Sequence, residues 1–86
     1  KSGNLSKENF CRAFSLTQDA FNESNSFQQK ILYLDAALLY LECESFKEAA
    51  TCLFEAECYA HAEKLFFALG DTQAYEICQS KSGTIQ

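Results

Sequence analysis

The chain has 86 residues, 48% hydrophobic and 14% aromatic, with no Pro and only three Gly. That describes one small domain with a modest core, too apolar for a disordered tail and too poor in turn residues for a hairpin-rich β protein. The formal charge is −5, and the seven Lys and Arg are scattered from Lys1 to Lys81, which argues against docking on a phosphate backbone.

In chain order, residues 1–5 are polar and expected to be flexible. Ser6 is placed to cap a first helix over 7–22, because Phe10, Ala13, Phe14, Thr17 and Phe21 follow the i, i+3, i+4, i+7, i+11 spacing of one helical face. The stretch NESNS, residues 22–26, breaks it with side chains that compete for backbone hydrogen bonds. Ser26 with Gln29 has the spacing of a capping box and opens a second helix, 27 to about 43. Its middle is apolar nearly all round, so neighbours are expected on more than one side. Ser45 with Glu48 is a second capping box, and a third helix follows from Phe46 to about Glu57. Cys58 and Tyr59 open a fourth helix that ends at Gly70, a residue suited to a left-handed position. Asp71 caps a last helix, 72 to about 79, and residues 80–86 are expected to be a flexible tail. The single helical domain is therefore expected over 6–79.

One stretch, SFKEAATCLFEAECYAHAEKLFFALGD, says the same thing twice. Phe46, Ala49, Cys52 and Leu53 are answered thirteen residues later by Tyr59, Ala62, Leu65 and Phe66, and thirteen earlier by Tyr33, Ala36, Leu39 and Tyr40. A faint fourth copy is Tyr75 and Cys78. Thirteen residues at about 100° each fall well short of whole turns, so in one unbroken helix the copies would lie on different faces. The pattern fits helices that stop and restart, each presenting an aromatic, a small residue and apolar bulk to its neighbour.

Five Cys, at 11, 43, 52, 58 and 78, make an odd number with no C-x-x-C. They read as reduced thiols serving as small hydrophobes in an intracellular protein, cytoplasmic or nuclear. No secretory signal is visible, and no apolar run approaches the ~20 residues that span a bilayer. The densest run, ILYLDAALLYL, contains Asp35 and reads as a buried helix. The chain opens on Lys and has no Met, so it reads as a piece of a longer polypeptide.

Sites for chemistry are scarce. Cys58 and His61 share a helical face, but a structural zinc needs four ligands and His61 is the sole His. As a Cys–His nucleophile pair they lack an orienting third group and an oxyanion donor. The carboxylates Glu42, Glu44, Glu48, Glu55, Glu57 and Glu63 fall mostly on polar helix faces, and three isolated Gly form no phosphate loop. No enzyme activity, metal or cofactor is expected, and no membrane association.

The segment from Tyr33 to Ala56 resembles one tetratricopeptide-type repeat, with Tyr33, Ala37, Tyr40, Phe46, Ala49, Leu53 and Ala56 at its large, small and aromatic positions. Glu44 stands where that pattern has Gly, and His61 where it has Pro. The wording from Leu32 to Gln79 also resembles the irregular helical-repeat arms of large scaffolding, trafficking and helicase-associated proteins. The resemblance implies an all-α fold of four or five antiparallel helices in a right-handed solenoid segment. It also implies a protein-interaction or scaffold role. The partner would be a protein, a peptide or another domain of the parent chain. An alternative is an accessory domain of a nucleic-acid enzyme such as a helicase, with its active site elsewhere. By the same analogy Leu34, Leu38 and Leu41 point to the concave, partner-binding side; the blander expectation is that the first helix covers them. Exposed ends of such a stack would allow self-association.

Overall fold

The computed structural model describes residues 2–82, and for residues 2–6 and 82 the backbone alone. Five helices follow one another: α1 Ser2–Asn22, α2 Ser26–Glu42, α3 Phe46–Glu55, α4 Tyr59–Leu69 and α5 Thr72–Ser82. No strand occurs among the described residues.

The interval of thirteen has a concrete cause. Glu44, Glu57 and Gly70, thirteen apart, all have positive φ, at 61°, 65° and 81°. Behind each, the same pair of hydrogen bonds closes the helix. The amides of Ser45, Cys58 and Asp71 donate to the carbonyls of Tyr40, Leu53 and Phe66 at 2.8, 2.9 and 2.9 Å. The amides of Glu44, Glu57 and Gly70 donate to Leu41, Phe54 and Phe67 at 3.1, 3.0 and 3.1 Å. This is the Schellman arrangement, used three times. In α3 and α4 such a turn ends the helix after ten or eleven residues and so sets the repeat. The positions that recur in sequence also recur in the core. Ala36, Ala49 and Ala62 are fully buried, and so, nearly, are Tyr40, Leu53 and Phe66. Small residues let the helices approach, and the larger ones close the space beside them.

Several boundaries differ from expectation. The first helix is already formed at Ser2, so Ser6 lies inside it and not at its cap. Ser, Gly and Asn in residues 2–6 are weak helix formers, costing about 0.5–1 kcal/mol each relative to Ala, but none of them breaks a helix as Pro would. The cap of α2 is Asn25, whose side chain accepts from the Gln28 amide at 3.0 Å. Ser26 is thus the first residue of the helix. Gln29, expected to complete the capping box, reaches across to the end of α1, where Nε2 donates to the Ala20 carbonyl at 2.9 Å. Ser45 does precede α3, but its hydroxyl makes no capping bond; it lies 3.7 Å from the Cys43 thiol. Asp71 caps α5 by accepting from the Ala74 amide at 3.2 Å. The last helix runs on to Ser82, and residues 83–86 of the expected tail lie outside the described residues.

Among the described residues substantial packing occurs only between consecutive helices: α1 on α2, α2 on α3, α3 on α4, α4 on α5. The molecule is correspondingly long and thin, 46 × 31 × 14 Å. Asn9 near the start of α1 bonds Glu42 at the end of α2, while Lys30 early in α2 pairs at 2.9 Å with Glu57 beyond the end of α3. These three helices therefore alternate in direction.

Candidate functional site

The alternation leaves a groove. Phe10, Phe14 and Thr17 of α1 form one wall, Tyr33 and Tyr40 of α2 the floor, and Lys47, Glu48, Thr51, Cys52 and Glu55 of α3 the other wall, enclosing about 550 Å³. That lies within the 300–1,000 Å³ of ordinary ligand sites. A smaller hollow of about 130 Å³ repeats the plan one hairpin on, between Thr51 and Phe54 of α3 and Ala74 and Ile77 of α5, over Phe66 of α4.

The aromatic wall arises from how α1 packs. Among its described side chains the fully buried ones are Ala13 and Ala20, which bring the helix close to its neighbours. Phe10 and Phe14 are too large for that contact and stand beside it, at the rim. Phe10 is braced edge-on against Tyr40, with ring centroids 5.2 Å apart at 73°, a favourable aromatic geometry. Phe14 remains 54% exposed. The Thr17 hydroxyl donates to the Phe14 backbone carbonyl at 2.6 Å.

The opposite wall carries two carboxylates, Glu48 and Glu55, against one cation, Lys47. Glu55 acts on Tyr33 and Glu48 on Tyr40, so the carboxylates sit at the two ends of the tyrosine floor. Burial first, then the Glu55 charge and Cys52, raise the Tyr33 phenol above its ordinary value. Burial and Cys52 raise Tyr40 as well, with smaller contributions from Glu48 and Cys43, while a hydrogen bond with Thr17 works the other way. Cys52, buried between them, is pushed up to about 11 by burial and by Glu55 and Glu48. The groove thus holds neutral hydroxyls and a neutral thiol beside negative charge. None of the three is poised as a nucleophile at neutral pH.

The leucines singled out from the sequence lie elsewhere. Leu34 and Leu38 are 38% and 56% exposed, so α1 does not cover them. With Phe27 and Ile31, both exposed, they make an apolar stripe at i, i+4, i+7, i+11 on a face of α2 turned away from the groove. Leu41 continues it but is half-buried against the core. None of the three leucines lines the groove. Cys58 is the half-buried residue that precedes α4, and His61 is exposed on that helix. Among the described residues no group of three or more His, Cys, Asp or Glu is arranged to hold a metal ion. No helix of the described residues is long and apolar enough to cross a membrane.

No family model, no curated protein and no solved structure matches the chain.

Proposed function

We propose that this is a non-catalytic protein-interaction domain, a tetratricopeptide-like segment of stacked helical hairpins that docks a segment of a protein partner, or of another domain of its parent chain, in the α1–α2–α3 groove. The observation that carries the reading is the groove's construction. Two partly exposed phenylalanines stand at its mouth, Phe10 braced on Tyr40, over a floor of half-buried Tyr33 and buried Tyr40. Aromatic side chains of that kind anchor interfaces, because they bury large area for little loss of conformational freedom. The mechanism is surface complementarity: burial of an apolar segment at about 25 cal/mol per Å², offset by the cost of ordering it.

A short α-helical peptide with a Leu stripe and a neutral Gln polar face is the probe, followed by fluorescence anisotropy. Saturable binding to the wild type, weakened ~10-fold in Phe14→Ser and unchanged in Leu38→Glu, is the expected result. Both sites are more than half exposed, so the variants should remain folded by circular dichroism. Binding that ignores Phe14→Ser but is lost in Leu38→Glu would move the docking surface to the outer face of α2.

A further inference from the structure

We infer that the groove is selective for an amphipathic helix carrying Lys or Arg along one flank of its apolar stripe, an inference that rests on the docking role proposed above. The groove is two-sided. One wall offers Phe10 and Phe14 and no charge, while the other offers Glu48 and Glu55 with Lys47 as its one cation. Among the described residues the ion pair formed is Lys30 with Glu57, so neither Glu48 nor Glu55 is engaged by a cation. Both are exposed, and both stand beside phenols and a thiol that their charge helps keep protonated.

Spacing fixes the register. Glu48 and Glu55 are seven residues apart on one helix, which is ~10 Å along its axis. A partner helix lying along the groove meets that spacing with cations at i and i+7. Its apolar stripe then faces the tyrosines and its far side the phenylalanines. This is the helix-in-groove mode with a charged flank that sets orientation and excludes wrong partners. The same wall argues against two other occupants. A second copy of this chain brings a further net charge of −5, and a nucleic acid brings phosphates.

The test uses the neutral Leu-striped peptide and two twins, one with Lys at i and i+7 on a flank and one with Glu there. A fourth peptide keeps the Lys but scrambles the Leu. The expected order is Lys twin, neutral, Glu twin, with at least ~10-fold between the extremes at low salt, narrowing at high salt. In the Glu48→Gln, Glu55→Gln double variant the ratio of Lys-twin to Glu-twin affinity, read within that variant, shrinks to ~2-fold or less. Equal binding of the two twins, or a preference that survives in the double variant, overturns the charge selectivity while leaving the groove reading intact. Equal binding of the scrambled Lys peptide overturns it too, because attraction to the overall negative charge would then be enough. Failure of all the peptides, the neutral one included, removes the groove reading itself.

Discussion

The N-terminal hairpin and the C-terminal array are built differently. In the array, α3 and α4 have 10 and 11 residues, each left through a turn of the same kind. In the hairpin, α1 and α2 have 21 and 17 residues, joined by the Asn25 cap and the reach of Gln29 to Ala20. Being longer than α3, α2 overhangs it by about two turns. Most of the exposed large apolar residues fall in the hairpin: Phe10, Phe14, Phe21, Phe27, Ile31, Leu34 and Leu38, against Phe46, Phe67, Leu69 and Ile77 in the rest. The regular part of the chain accounts for its architecture, and the irregular part holds most of the surface a partner could use.

The largest effect should separate a buried array residue from an exposed hairpin residue of the same type. Phe66→Ala empties a core position and is expected to cost about 3–5 kcal/mol in guanidinium unfolding. Phe21→Ala should cost less than about 0.5 kcal/mol, because its ring is already largely in solvent. Similar losses at the two sites would mean that the hairpin face is packed.

Alkaline pH should act at the junction between the two regions. Cys52 has its thiol raised from 9.0 to about 11 in the folded chain. The unfolded state therefore loses this proton first. The Cys52 contribution to stability is complete below pH 9 and is lost as pH rises through about 11, on the order of 2 kcal/mol in all. Tyr33 and Tyr40, raised in the same direction, add to the loss above pH 10. Cys52→Ala should flatten the part of the curve between pH 9 and 11. The same burial predicts that alkylating reagents label exposed Cys11 well before Cys52 or Cys78.

The three turns should respond to glycine in opposite ways. Gly70→Ala puts a Cβ on a left-handed residue and is expected to cost about 1 kcal/mol, through backbone strain alone, since no neighbouring atom lies within 4 Å of the new Cβ. Glu44→Gly removes the same strain and should stabilise by up to about 1 kcal/mol. Glu57→Gly should gain less, because it also gives up the half-exposed pair with Lys30. Thermal melts of the three variants against wild type would show whether the turns are equivalent. The smallest effect is reserved for the outer face of α2, where Leu38→Glu should change stability by no more than about 0.5 kcal/mol. Leu41→Glu, half-buried against the core, should cost visibly more.

Much of the array was legible in the sequence because its signals are local. A repeated aromatic–small–apolar phrase, a Gly at position 70 and an Asp at 71 each act within one turn of helix. The turn before Tyr59 carries no such signal, since Glu57 has a conformation that Gly usually announces. The start of α1 and the cap of α2 were missed for a related reason: Ser and Asn both suit a cap, and the choice between Asn25 and Ser26 depends on how α2 meets Ala20. The groove was less legible than the helices. Leu34, Leu38 and Leu41 follow one apolar face of α2, but a face cannot say which neighbour meets it. Which sides of α1 and α3 flank α2 is a tertiary matter. A hint was present in α1, where Ala13 and Ala20 alternate with Phe10, Phe14 and Phe21: when small residues take the close contact, the large ones are left at the edge.

The most direct test of the account is a backbone amide NMR titration of the ¹⁵N-labelled protein with the Lys-flanked peptide. The account predicts the largest shift changes at Phe14, Thr17, Tyr33, Tyr40, Thr51 and Cys52, on all three helices of the groove. Changes confined to Phe27, Ile31, Leu34 and Leu38, or to Phe67 and Tyr75 at the other end, would contradict it and place the docking surface outside the groove.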